Sequence, residues 1–328
     1  MDKKSSENDF QILSDIQHLT QPLNRRPQAD VSKRNSQNPH SELSVFNVPF
    51  KKYHGLGNDY IVMGPEISEE RFTPDFVRRV CDSHYGVGSD GLLHGPLASV
   101  IADFRVRMYN PDGSEFEKSG NGLRIFTRYL FDRGDIRYDP VTIETKGGVV
   151  TAQVLEKDGL IRVDMGKASL WSEMIPVRGE PRDVLDEPLK IKKRCFRISA
   201  VTVGNPHCVV LIENPNELTP ELAKTWGPLI ETHTLFPNKT NVQFMSPLDE
   251  KTIRIEIWER GVGYTLASGS SSCAAATVAH RLGLCGNDVN VHVPGGIIHI
   301  HIHPDASLTM TAPVVEICQG ELSMECLP

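Results

Sequence analysis

Alternating apolar and polar residues predict a chain built largely of short β-strands. Two such runs, Phe104 to Tyr109 and Ile253 to Trp258, each lead into a turn or a Gly-rich loop. A helix is predicted after each loop, one from Ser119 through Leu130 and one from Ser268 to Leu282, where Gly283 ends it. The backbone N–H groups at such helix starts are suited to hold an anion, usually a phosphate or a carboxylate.

The remaining elements follow from the same signals. Helices are predicted over 72–81 and over 220–226, the second with Thr219 as its N-cap. Residues 54–59 are predicted as a tight loop, and 170–193 as a connection rich in Pro and charged residues. Further strands are predicted at 50–53, 61–63, 141–145, 148–155, 161–165, 196–203, 208–212, 241–245, 289–293, 297–303, 308–311 and 314–318.

Two motifs recur at a nearly constant offset. Asn110 lies nine residues before Ser119, and Glu259 lies nine residues before Ser268. The Ser-Gly motif recurs after 149 residues, and the Gly57-Asn58 motif recurs after 147. This regularity indicates an internal duplication, which at so long a period predicts two similar domains.

The predicted fold class is α/β, with two pseudo-symmetric domains that each wrap a curved, mostly antiparallel sheet around a central helix. One helix N-terminus from each half could then face a single ligand. The predicted organisation is a disordered tail at 1–45, a first domain at 46–163, a second domain at 164–313, and a C-terminal strand within 314–328 that could return to the first domain.

Composition narrows the class of protein. The 328 residues suffice for two ordinary domains, and the net charge of −7 argues against a nucleic-acid partner. No apolar run is long enough to span a bilayer, so no membrane partner is expected. Seven cysteines without CxxC spacing favour free thiols in a reducing, cytoplasmic compartment. The tail lacks an apolar core segment, which argues against a secretory signal, and an organelle transit peptide is the weaker alternative to a flexible tail.

Several motifs resemble those of diaminopimelate epimerases, from about residue 46 to the C terminus. They are Tyr53-His54-Gly55-Leu56-Gly57-Asn58-Asp59-Tyr60, Asn110-Pro111-Asp112-Gly113-Ser114-Glu115, Gly120-Asn121-Gly122-Leu123-Arg124, Gly204-Asn205-Pro206-His207-Cys208, Thr240-Asn241-Val242 and Trp258-Glu259-Arg260-Gly261-Val262-Gly263. The resemblance implies interconversion of LL- and meso-2,6-diaminopimelate for lysine and cell-wall synthesis, without a cofactor. One base removes the α-proton from one face of the carbon, and an acid returns a proton to the other.

The chain departs from the family at the catalytic positions. Family members use two cysteines there, whereas this chain has Ser119 and Ser268. A serine hydroxyl without an adjacent base is a poor proton acceptor, so the chain is expected to bind the family's ligand and turn it over slowly. Deliberate Cys→Ser replacement and a natural variant with altered chemistry are both compatible with the sequence. Tyr264 and Gly91 stand where the family usually has Glu and Gln, and Cys273 is predicted to lie in the core.

The resemblance also implies a binding set. Four side chains would hold the distal end of a two-headed substrate, and Glu259 would accept from an ammonium group. His207 would tune one base, and His207 and Glu259 count with the two serines as catalytic residues. The distal group comprises Asn110, Asn205, Asn241 and Arg260; Asn58 would line the pocket; and the backbone amides of Gly120, Asn121, Gly269 and Ser270 would take the reacting carboxylate. For each Asn the structural alternative is a turn or cap residue, and for Arg260 with Glu259 it is a surface ion pair.

Other interpretations stay open at this point. His299, His301 and His303 share one strand face, where a solvated surface is favoured over a metal site, and no metal is assigned. The functional alternatives are a cofactor-free racemase of another amino acid and a non-catalytic ligand-binding relative. The oligomeric state stays open, with a homodimer among the alternatives.

Overall fold

The computed structural model describes residues 47–156 and 159–326; the tail predicted at 1–45 lies outside the described residues. Four α-helices are present in the described part: α1 (Pro74–Cys81), α2 (Gly120–Arg133), α3 (Pro220–Glu231) and α4 (Gly269–Arg281). The first eight strands are β1 (Val48–Gly55), β2 (Asn58–Met63), β3 (Leu92–Leu97), β4 (Phe104–Tyr109), β5 (Val141–Thr145), β6 (Gly148–Glu156), β7 (Leu160–Lys167) and β8 (Glu187–Ile191). The others are β9 (Arg194–Thr202), β10 (Pro206–Leu211), β11 (Asn241–Asp249), β12 (Thr252–Glu259), β13 (Gly263–Thr265), β14 (Asp288–Val293), β15 (Gly296–Ile302), β16 (Ser307–Pro313) and β17 (Val315–Leu322).

The strands form two halves with the same order and the same senses. In the first lobe, which we define as β1–β7 with β17, α1 and α2, neighbours pair in the order β17-β1-β2-β3-β4-β5-β6-β7. In the second lobe, β8–β16 with α3 and α4, the order is β8-β9-β10-β11-β12-β14-β15-β16. In the first lobe, β2 pairs in parallel with β3 and β4 with β5. Their counterparts in the second lobe, β10 with β11 and β12 with β14, are also parallel, and the other pairs in the two orders are antiparallel. The duplication that the motif offsets indicated is therefore a repeat of topology.

The sheets of the two lobes join at one pair of strands. β7 pairs antiparallel with β16, so the last strands of the two repeats make the connection. At the far edge of the first lobe, β17 pairs antiparallel with β1, with Val48 opposite Leu322. The C terminus thus adds to the lobe in which the described chain begins.

Each lobe wraps its sheet around one buried helix. Leu123, Phe126 and Leu130 of α2 are fully buried, and α4 buries the run from Cys273 to Ala276. Residues 120–127 of α2 and 271–279 of α4 are buried without interruption, so protein surrounds both helices over these turns. Cys273 lies there as predicted, and burial raises the pKa of its thiol to about 12, which leaves it an inert core group at neutral pH.

Three local predictions need correction. The 170–193 connection contains β8, an edge strand in which Leu189 and Ile191 are buried while Pro188 and Lys190 are exposed. The strands β3 and β13 also went unpredicted. The predicted loop at 54–59 is a two-residue hairpin turn at Leu56 and Gly57, whose φ values of 59° and 90° fit the tight turns that match strand twist. Among the described residues, no helix is long and apolar enough to cross a lipid bilayer.

Candidate active site between two helix N-termini

The N-termini of α2 and α4 pack directly against each other. A Cβ placed on Gly269 would lie 3.5 Å from Cα of Gly120 and 2.8 Å from Sδ of Met310, and a Cβ on Gly120 would lie 2.8 Å from Cε of Met310. The side chain of Asn121 bridges the lobes, since Nδ2 donates to the carbonyl of Ala267 at 3.4 Å. Side chains at these two positions would displace the end of Met310, and the two helix starts themselves lie within van der Waals distance of each other.

This packing brings together the first-turn N–H groups of two helices. The first turn of an α-helix has no partner for its N–H groups within the helix, and it carries partial positive charge. Ser119 and Ser268, the N-cap residues, both have extended backbones, with φ of −134° and −145°. Binding of a carboxylate by the N–H groups of Gly120, Asn121, Gly269 and Ser270 stays a prediction, and the proximity of the two helix starts supports it.

Ser119 has no carboxylate among the hydrogen-bond partners described in the structure. Its Oγ accepts from the N–H of Gly122 at 3.1 Å and lies 3.3 Å from the hydroxyl of Tyr60. Tyr60 is buried, and desolvation raises the pKa of its phenol well above the usual range. The proton therefore stays on Tyr60 at neutral pH, and the Ser119 side of the site is rich in hydroxyl groups.

Ser268 has a different partner. Its Oγ does not cap α4 and instead donates to Oε2 of Glu259 at 3.2 Å. Burial raises the pKa of the Glu259 carboxyl above its ordinary value, and the hydrogen bond from Ser268 opposes the shift in part. A carboxylate with a raised pKa is a stronger base, so Ser268 has the adjacent base that Ser119 lacks.

A buried arginine anchors the α2 side. Arg124 is fully buried and donates to Oδ1 of Asn121, while Nδ2 of Asn121 donates to Oδ1 of Asn58 at 3.0 Å. Asn58 in turn donates to Asp90 at 2.9 Å. Burial lowers the pKa of the Arg124 guanidinium to about 10, which still leaves it charged at neutral pH. This series of hydrogen bonds fixes Asn58 and Asn121 and places the Arg124 guanidinium one turn behind the first-turn N–H groups of α2.

The loop after β12 presents Arg260. Oδ1 of Asn241 accepts the N–H of Arg260 at 2.9 Å, and the carboxylate of Glu231 accepts the N–H of Gly261 at 3.1 Å. The guanidinium is exposed and donates to the carbonyl of Asn238 at 3.2 Å; among the described residues it forms no ion pair. The described structure therefore lacks the surface ion pair between Arg260 and Glu259 that was the structural alternative to a binding role. The guanidinium is free to pair with a carboxylate of a ligand.

The other distal residues have protein partners of their own. Asn241 also donates to the carbonyl of Pro206 at 2.9 Å, so its amide fixes the Arg260 loop. Nε2 of His207 hydrogen-bonds Oδ1 of Asn205 at 2.9 Å, and Nδ2 of Asn110 donates to Ser114 at 3.0 Å within a turn. Burial lowers the pKa of His207 to about 3, so the ring is neutral and orients Asn205 without contributing charge. Their contacts with a substrate stay predictions.

Tyr60 was missed by sequence reasoning, although the repeat could have found it. Residues 58 and 205 are equivalent Asn positions, so Tyr60 corresponds to His207, which was selected. The absence of a side chain at Gly91 explains where the Tyr60 ring lies. A Cβ there would lie 2.6 Å from the Tyr60 ring and 2.8 Å from the carbonyl of Tyr109. The side chain of Tyr60 thus fills the space that a residue at position 91 would need.

Gly91→Ala is expected to destabilise the protein by about 1–3 kcal/mol, since overpacking a filled core forces side chains or backbone to shift. The shift should move Tyr60 away from Ser119, and urea unfolding of the purified variant measures the free energy of unfolding. Gly286→Ala is the matched control, because a Cβ at Gly286 meets no atom within 4 Å. Equal stabilities of the two variants would contradict the packing.

Two of the three histidines at β15 and its end lie beside one carboxylate. Nδ1 of His301 is 2.7 Å from Oδ1 of Asp288, and Nε2 of His299 is 3.5 Å from the same oxygen. His303 lies 3.5 Å from the hydroxyl of Thr309. Within residues 47–156 and 159–326, no group of three or more His, Cys, Asp or Glu side chains is placed to hold a metal ion.

Comparisons with known proteins identify one family of relatives. A family model described as diaminopimelate epimerase matches residues 50–171 and 199–317. The chain is 52% identical over 276 residues to "Diaminopimelate epimerase 2" of Nostoc sp. (strain PCC 7120), covering 84% of this chain and 96% of that relative. It is 41% identical over 278 residues to the diaminopimelate epimerase of Pelotomaculum thermopropionicum, covering 83% and 98%.

Solved structures show the same fold at low sequence identity. A probable proline racemase from Agrobacterium radiobacter superposes with a TM-score of 0.61 at 17% identity, covering 84% of this chain and 93% of that one. A PhzF-family phenazine biosynthesis protein of Bacillus anthracis gives 0.56 at 17% identity, covering 85% and 99%. The predicted fold class, two similar α/β halves, is confirmed.

Proposed function

Because the chain belongs to the diaminopimelate epimerase family, we propose that its substrate is 2,6-diaminopimelate. We propose that it interconverts the LL and meso forms without a cofactor. One α-carbon would lie between Ser119 and Ser268, with its carboxylate at the helix N-termini. Negative charge that develops on the carboxylate during proton removal is stabilised there by the N–H groups. The product would serve lysine and cell-wall synthesis.

The observation that carries the proposal is the direct packing of the two helix starts at Gly120 and Gly269. Inversion of a carbon centre needs an acid and a base on opposite faces. A pair of N-cap residues from two facing lobes supplies two such positions for one bound carboxylate. The Arg260 guanidinium supports the choice of a substrate with a second carboxylate, since it stands without an ion-pair partner in the described part of the chain.

Ligand selectivity tests the proposal directly. Isothermal titration calorimetry should show diaminopimelate binding about 30-fold more tightly than lysine, because hydrogen bonds to a charged group contribute about 1.5–3 kcal/mol. Lysine retains the reacting amino-acid end and a distal ammonium group but lacks the distal carboxylate. Equal binding of the two compounds would favour a racemase of a one-headed amino acid.

A further inference from the structure

The carboxylate of Glu231 is buried at an unfavourable place for a negative charge. Glu231 is the last residue of α3 and is only 7% exposed. The C-terminal end of a helix carries partial negative charge, which disfavours an anion, and burial of a charge adds to that cost. Among the described residues its ion-pair partner is Lys239, at 3.6 Å and more than half exposed. Stability alone therefore does not explain a carboxylate here.

Both oxygens of Glu231 hold the end of β12. Oε2 accepts from the indole Nε1 of Trp258 at 2.8 Å, and Oε1 accepts from the N–H of Gly261 at 3.1 Å. These donors lie on either side of Arg260, whose own N–H donates to Asn241 at 2.9 Å. Three hydrogen bonds, two of them to a charged acceptor, thus fix the backbone from which the Arg260 side chain extends.

Trp258 is also held by close packing. A Cβ on Gly227 of α3 would lie 2.5 Å from Cγ of Trp258, and a Cβ on Gly263 would lie 3.7 Å from the ring. The indole therefore lies directly against the backbone of α3, between that helix and the start of β13. The loop after α3 reaches the same place, because the carbonyl of Asn238 accepts from the Arg260 guanidinium at 3.2 Å. Helix α3, Trp258 and the Arg260 side chain form one connected unit.

In the described residues of the first lobe, no carboxylate takes this role. Tyr109 lies opposite Leu92 of β3. Trp258 lies in the same way opposite Val242 of β11, so Tyr109 and Trp258 are counterparts. The buried Tyr109 hydroxyl has no hydrogen-bond partner in the described part of the chain, and the next residue is the neutral Asn110. The carboxylate support therefore occurs in the lobe that carries the exposed arginine.

We propose, resting on the function proposed above, that Glu231 is a positioning residue that directs the Arg260 guanidinium toward the distal carboxylate of the substrate. It acts through Trp258 and Gly261 and does not itself touch the ligand. The preference for a substrate with a second carboxylate thus depends on a buried carboxylate behind the binding surface, as well as on Arg260.

Glu231→Gln tests the proposal on the full chain. An amide of the same shape has one acceptor oxygen, so the Trp258 indole or the Gly261 N–H loses its acceptor and meets an amide NH₂ group instead. Isothermal titration calorimetry should show diaminopimelate bound about 10-fold more weakly, a smaller loss than removal of the Arg260 guanidinium itself would give. Lysine, which lacks the distal carboxylate, should bind as it does to the parent chain.

A double variant separates a positioning role from a merely structural one. If Glu231 acts through Arg260, adding Glu231→Gln to Arg260→Gln should cause no further loss of diaminopimelate affinity, because the effects of coupled residues are not additive. Glu256→Gln is the matched control, since Glu256 is a second buried carboxylate of this lobe, bonded to the Tyr264 hydroxyl at 2.7 Å. It should leave both affinities unchanged.

The indole N–H of Trp258 supplies a spectroscopic readout. Its NMR signal, identified by its loss in Trp258→Phe, should move when Glu231 is replaced and when diaminopimelate binds, whereas lysine should leave it in place. Thermal unfolding shows whether Glu231→Gln folds. If it does not, Trp258→Phe decides the question, because it removes the indole donor and should weaken the binding of diaminopimelate but not of lysine.

The binding data keep the two hypotheses distinct. A parent chain that does not bind diaminopimelate would overturn the proposed function. If the parent chain prefers diaminopimelate and Glu231→Gln keeps that preference, or weakens lysine by the same factor, this inference alone is overturned. A further loss of affinity on adding Glu231→Gln to Arg260→Gln would overturn it as well.

Discussion

Replacement of both Ser119 and Ser268 by cysteine is expected to raise the epimerisation rate of diaminopimelate by roughly 10²–10⁴-fold, the usual contribution of well-placed acid–base groups. A thiol ionises near pH 8.5 in peptides, and a helix N-terminus lowers that pKa further. Both positions are N-caps of helices whose starts lie in contact, so each thiol would enter a field that favours its thiolate. Chromatographic separation of LL and meso isomers gives the rate.

The single variants should differ. Ser119→Cys should give the larger gain, because Ser119 has no carboxylate among its described partners, whereas Ser268 already has Glu259 at 3.2 Å. Ser246→Cys, at a buried serine of β11, controls for adding a thiol elsewhere in the core. Tight diaminopimelate binding with no gain from the double variant would favour the non-catalytic ligand-binding relative.

The repeat could be predicted because its signals are local. A helix that starts at Ser-Gly after a strand and a turn can be recognised from neighbouring residues. Because the motif occurs twice, 149 positions apart, the two copies could be matched to each other. The strand alternation then placed most of the sheet. The edge strand β8 escaped because it is short and contains Pro188, a residue that weakens a strand prediction although an edge strand tolerates it.

The chemistry of the site was less predictable, because it depends on contacts between distant residues. Glu259 was selected to accept from an ammonium group, and its hydrogen bond with Ser268 follows only from how the loop after β12 folds. Tyr60 approaches Ser119 across 59 positions, through space left open by Gly91. The burial that makes His207 neutral likewise depends on packing, which a single sequence does not display.

Arg260→Gln is expected to weaken diaminopimelate binding by about 30-fold, because hydrogen bonds to a charged group contribute about 1.5–3 kcal/mol. Arg260→Lys keeps the charge but loses the planar two-point geometry, so a smaller loss of about 10-fold is expected. Calorimetric titration of each variant measures the dissociation constant. The backbone of Arg260 is held by Asn241 through its N–H, so neither substitution removes that anchor.

Comparing the loss of lysine binding with the loss of diaminopimelate binding in Arg260→Gln identifies which carboxylate Arg260 holds. Lysine lacks the distal carboxylate, so its weaker binding should be nearly the same in the parent chain and in Arg260→Gln. Arg281→Gln removes a surface arginine that pairs with Asp183 at the far end of α4, and it should change neither affinity. If Arg260→Gln weakened lysine and diaminopimelate by the same factor, Arg260 would belong to the reacting end, and the substrate orientation between the two helix N-termini would have to be reversed.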